Sequence, residues 1–140
     1  MLPSGLDTRL GYLLKHAQIE LAERGRAALE PLGVNGRELA VLTVLGEGEA
    51  LAQQQAAGRL GVDRTTMVDL VDALEGKGLV ERRSDPADRR RNLVHLTARG
   101  REVLADGERI HQDVEKTFLG ALSAQEGEQL KDLLRRVLRS

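Results

Sequence analysis

Residues 53–80 read QQQAAGRLGVDRTTMVDLVDALEGKGLV, and the reading of this stretch decides the fold. Ala56, Ala57, Leu60 and Val62 form one short apolar stripe, Met67, Leu70, Val71 and Leu74 form another, and Gly61 interrupts them. The spacing predicts two helices joined by a tight turn. Asp63 is placed to cap the second helix, with Val62 stapled onto Met67. Gly78 suits the left-handed position just past its end, where Leu79 can fold back on Leu74.

Outward from this pair, the pattern changes after Gly78. Leu79–Arg83 and Asn92–Leu96 are short and partly alternating, which predicts a β-hairpin with an arginine-tipped turn. Residues 82–91, RRSDPADRRR, carry five arginines and two aspartates in a chain whose net charge is −1. Towards the N-terminus, apolar residues recur at helical spacing from about Asp7 to Leu32, where Pro31 and Gly33 close the element. Asn35 and Glu38 form a capping box, with Val34 and Leu39 as its staple, so a second helix runs to about Leu45. Towards the C-terminus, Thr97 caps a helix reaching Phe118, and the box Ser123–Glu126 starts a last helix striped by Leu130, Leu133, Leu134, Val137 and Leu138. The expected fold is mainly α with a small β-hairpin.

Composition limits what such a fold can do. A chain of 140 residues holds one domain, 1–140, and its lack of cysteine excludes disulfides and thiolate metal sites. The start MLPSGLDTRLGYLL lacks the pattern of a signal peptide, and no long apolar run follows, so a cytoplasmic protein without a membrane span is expected. No nucleophile elbow, HExxH or phosphate-binding glycine loop occurs, and His16, His95 and His111 have no ligand spacing. Neither an enzyme nor a metal or other cofactor is expected.

The predicted helix after Asp63 turns Met67, Leu70, Val71 and Leu74 to the core, leaving Thr65, Asp69, Asp72 and Gly76 opposite and Arg64 and Thr66 on the flanks. That small polar face fits a major groove, with hydroxyls and carboxylates towards base edges and Arg64 towards phosphate. Arg89, Arg90 and Arg91 on the hairpin can reach the adjacent narrow groove, whose potential attracts guanidinium. Asp72 fits a structural role equally well, because an unpaired carboxylate there would repel phosphate.

The run GRLGVDRTTMVDLVDALEGKGLVERRSDPADRRRNLVHLTARGREVL resembles the winged helix-turn-helix core of the MarR family of bacterial transcription regulators, and the flanking helices match in order and length. The resemblance implies a winged helix-turn-helix part at 33–96, flanked by long dimerisation helices at 1–32 and 97–140. It implies a DNA-facing set of Gln53, Arg64, Thr65, Thr66, Asp69, Asp88, Arg89, Arg90 and Arg91, with Asp88 orienting Arg90 into the minor groove. It further implies a homodimer on a pseudo-palindromic double-stranded operator, acting as a repressor released by a small anionic or phenolic effector. The absence of cysteine sets the chain apart from the family's thiol-based peroxide sensors.

Two residues depart from the family pattern. The helix before the recognition helix begins after Ala52 where Ser or Thr is usual, and Gly58 lies inside it, so fraying is expected at ~1 kcal/mol per change. Asp69 stands where a neutral or basic residue is common, able to accept from a cytosine amino group or simply to weaken phosphate binding.

Tyr12 and His16, at i and i+4, and His111 are the polar aromatic groups open to an effector, and packing within the helical interface is the competing reading. The stripe Leu130–Leu138 and the long helices carry more apolar surface than one small core can cover, which also predicts a symmetric dimer. A winged-helix adaptor that binds protein instead of DNA is the alternative function, because the same fold serves both.

Overall fold

The computed structural model describes residues 5–48 and 50–139, so Met1–Ser4 of the segment read for a leader lie outside it. Helix α1 spans Leu10–Leu29 and is followed by a 3-10 turn, Glu30–Leu32. The α-helix therefore stops three residues before the predicted end. Pro31 has no N–H to donate and tightens the last turn, and Gly33, at φ 74°, closes it by donating to the Glu30 carbonyl at 2.9 Å.

Helix α2 (Gly36–Leu45) begins with the predicted capping box: Asn35 Oδ1 accepts from the Glu38 amide at 2.9 Å, and Glu38 Oε1 accepts from the Asn35 amide at 3.0 Å. Strand β1 (Leu51–Ala52) leads directly into α3 (Gln53–Leu60). Ala52 cannot cap, yet the helix start is held from two sides. Gln55 Oε1 accepts from the Ala52 amide at 3.0 Å, and Ala52 is paired with Leu93 in the sheet.

Gly61, at φ 70°, makes the turn into α4 (Arg64–Gly76). Asp63 caps α4 by accepting from the Thr66 amide at 2.6 Å, and the Thr66 hydroxyl together with that amide holds the Asp63 carboxyl below the usual aspartate range. The other end closes as predicted: Gly78 lies at φ 75° and the Leu79 amide donates to Leu74 at 3.0 Å.

Strands β2 (Val80–Asp85) and β3 (Asp88–Leu96) form the hairpin, and β1 joins its far side to give a three-stranded antiparallel sheet ordered β1-β3-β2. The hairpin strands are longer than the alternation predicted, and only Pro86 and Ala87 turn between them. Arg89, Arg90 and Arg91 therefore sit on the returning strand instead of the tip. Asp85 makes so short a turn workable by accepting from the Ala87 amide at 2.9 Å.

Helix α5 (Ala98–Phe118) is capped by Thr97, whose Oγ1 accepts from the Gly100 amide at 3.0 Å. Glycine is required at position 100, since a β-carbon there would overlap the Leu79 carbonyl. Helix α6 (Ala124–Arg139) begins at the predicted Ser123/Glu126 box.

One core joins α2, α3, α4, the sheet and the start of α5. Leu42, Met67, Val71, Leu74, Val80, Val94 and Val103 are all essentially buried. At roughly 1.5–3 kcal/mol for each such side chain removed from water, this cluster fixes α4 and the hairpin in place. The long helices are different: Leu10, Leu14 and Ile19 on α1 and Leu133, Val137 and Leu138 on α6 stay exposed, Leu138 at 83%.

Candidate nucleic-acid interface

The face of α4 turned away from the core carries Thr65, Asp69 and Asp72, all exposed, with Thr66 half-buried at its edge. Core packing of Met67, Val71 and Leu74 sets this orientation. The first-turn amides have no intrahelical carbonyl to meet, and Asp63 takes the one from Thr66. Arg64 stands beside them, its guanidinium 3.4 Å from Gln54 Oε1.

On the hairpin, Arg90 stands in solvent, with its side chain 93% exposed. Asp88 Oδ1 accepts from the Arg90 amide at 3.1 Å and from its Nε at 3.4 Å, so a carboxylate two residues back does steer the guanidinium. Arg89 is likewise exposed. Arg91 is different. It is half-buried, with its Nε 3.7 Å from Asp85 Oδ2, and is drawn towards the turn.

Arg82 has partners that no local pattern marks: it donates to Asp72 at 2.7 Å, to Glu75 at 2.8 Å and to Gln53 Oε1 at 2.7 Å. Strand alternation is the reason. Residues 81 and 83 share one face, where Arg83 pairs with Glu81, while Arg82 faces α4. Its side chain is only 18% exposed, and it joins α3, α4 and the hairpin at one point. Gln53, expected to face DNA, is occupied as one of its acceptors. Asp72 is paired and so has the structural role left open by the sequence.

The three effector candidates divide. Tyr12 and His16 meet on α1, with ring centroids 4.1 Å apart at 36°, and both are half-buried. His111 is elsewhere: it lines a cavity of about 500 Å³ between α2 and α5 with Leu39, Ala40, Thr43 and Leu60. Its Nε2 lies 2.8 Å from Glu115, which is in turn 2.9 Å from Lys131 on α6. Among the described residues no acidic, histidine or cysteine cluster could hold a metal ion, and no helix is long and apolar enough to cross a membrane.

The sequence profile of the MarR family matches residues 32–91. Transcriptional regulator HosA of Escherichia coli O111:H- is 40% identical over 75 residues, 54% of this chain and 56% of that protein, so the match spans about half of HosA's length. A putative transcriptional regulatory protein for the hcr operon of Thauera aromatica is 34% identical over 131 residues, 93% of this chain and 79% of that one. Among solved structures, the transcriptional repressor CouR bound to a 23-mer DNA duplex superposes with a TM-score of 0.89 at 31% identity, covering 99% of each chain. CouR from Rhodococcus jostii RHA1 bound to p-coumaroyl-CoA superposes at 0.83 and 29% identity, covering 96% of this chain and 95% of that one.

Proposed function

The chain belongs to the MarR family of winged-helix transcriptional regulators, and on that premise we propose that it is a homodimeric, sequence-specific DNA-binding repressor. One observation carries the reading: Arg82 locks α4 and the hairpin together and neutralises Asp72 and Glu75, so that helix and wing engage a duplex as one rigid unit. Residues 33–96 bind DNA. Helix α4 enters the major groove with Thr65, Thr66 and Asp69 towards the bases and Arg64 towards phosphate, while Arg90, aimed by Asp88, enters the neighbouring minor groove beside Arg89. Gln53 and Arg91 act by holding this surface in shape.

The exposed apolar faces of α1 and α6 support a dimer formed by the helical parts, 1–32 and 97–140. A two-fold pair sets its recognition helices about 34 Å apart on a pseudo-palindromic operator. The cavity beside His111, between the helical part and the DNA-binding part, is where a small anionic or phenolic effector would act. The protein works in the cytoplasm as a regulator and has no catalytic role.

Footprinting on the intergenic DNA beside its own gene, across a salt series and with and without small aromatic acids, tests this. A linear fall of log affinity with log salt is expected. Absent or salt-independent binding would favour the protein-binding adaptor.

A further inference from the structure

We infer that Asp69 is a specificity-determining residue that reads the amino group of a cytosine in the major groove. The inference rests on the reading of α4 as the groove-entering helix and names what that helix selects.

The acids around this surface are disposed of in a consistent way. Asp63 is used as the helix cap, Asp72 and Glu75 are held by Arg82, Asp85 faces Arg91, and Asp88 is turned onto Arg90. Asp69 is the exception: it lies exposed at the middle of the outward face, one turn after Thr65, and among the described residues it has no hydrogen-bonding or ionic partner. A free carboxylate there is repelled by phosphate unless a donor on the DNA meets it.

The major-groove code then narrows the donor. A carboxylate only accepts, and guanine and thymine offer acceptors at their groove edges. Adenine offers an amino donor but places the N7 acceptor beside it, against the second carboxylate oxygen. Cytosine offers N4–H₂ without that neighbour, so a C·G pair is the match. An amide at the same place supplies both a donor and an acceptor, which is the pairing adenine takes.

Selection from random-sequence duplexes with the full chain, its Asp69→Asn variant and its Asp69→Ala variant tests the assignment. The parent is expected to enrich C·G at one position per bound subunit by ~10-fold or more over other pairs, a factor equal to about 1.4 kcal/mol. Asp69→Asn should move that position towards A·T while leaving the others unchanged, and Asp69→Ala should accept all four pairs there. If Asp69→Ala keeps the parent's base preference and only binds every duplex more tightly, Asp69 acts by repulsion and the inference fails. If the parent enriches no sequence, the DNA-binding reading fails and this inference falls with it.

Discussion

Lys77, the residue that closes α4, donates to Glu38 Oε1 at 2.9 Å and Oε2 at 2.8 Å, across 39 positions of chain. It also donates to the Gly33 carbonyl at 2.8 Å. The Glu38 side chain is only 4% exposed while that of Lys77 is 41% exposed, so the carboxylate depends on the ammonium more than the reverse. Replacing Lys77 by Ala leaves a buried charge without its cation. The expected cost is about 3 kcal/mol, at the low end for a broken buried pair because water can partly replace Lys77. Urea denaturation of parent and variant checks it, and a loss below about 1 kcal/mol would show that the pair adds little.

Arg82→Ala should separate binding from folding. Its partners Asp72 and Glu75 are exposed enough to rehydrate, so stability falls modestly, by about 1 kcal/mol. DNA affinity should fall far more, by 10-fold or greater, because two carboxylates on the DNA-facing side lose their counter-charge and the wing loses its tether to α4. Adding Asp72→Asn and Glu75→Gln to Arg82→Ala should recover part of the affinity in a gel-shift titration.

The two neighbouring wing arginines should behave unequally. Arg90 is 93% exposed, whereas Arg91 is turned to Asp85. Arg90→Ala is expected to weaken operator binding by about 1–3 kcal/mol, the range of a good groove contact, and Arg91→Ala by less than 1 kcal/mol. Fluorescence anisotropy at fixed salt distinguishes them, and equal losses would contradict the assignment of Arg90 as the groove-entering residue.

The joint between α5 and α6 should be sensitive to acid. Burial alone would raise the Glu115 carboxyl, but Lys131 and His111 outweigh it and hold Glu115 below the usual glutamate range. A depressed carboxyl contributes stability that is complete above its ordinary value, about 4.3, and is lost as pH falls through the lowered value. Lys131 is raised by Glu115, so its contribution is complete below the ordinary lysine value and lost only at strongly alkaline pH. The parent should therefore melt at a higher temperature than Lys131→Met at pH 7, and the gap should narrow as the pH falls below the ordinary glutamate range. A gap that does not narrow with acid would rule out this pair as its source.

The local devices of this fold were legible because each is completed within a few residues. The Asn35/Glu38 box, the Asp63 cap, the Gly78 closure, the Thr97 cap and the Ser123/Glu126 box all join groups three to five positions apart, and all are present. Asp88 and Arg90 belong to the same class, since i and i+2 on one strand share a face. Strand β1 did not show itself, because two residues carry no periodicity and pair only with Leu93 and Val94, more than 40 positions on.

By itself, then, the sequence determined where the helices start and stop, that a charged hairpin follows the second of a helix pair, and which face of α4 looks outward. Tertiary structure alone decided which cations are enclosed. Arg82 and Arg90 have the same chemistry, yet packing of β2 against α4 encloses Arg82 with Asp72, Glu75 and Gln53, at separations of 10, 7 and 29 residues, while Arg90 projects into solvent. The physical reason is range: backbone capping is settled within one turn of chain, whereas the partner of a long side chain depends on which elements the core has brought within a few ångströms.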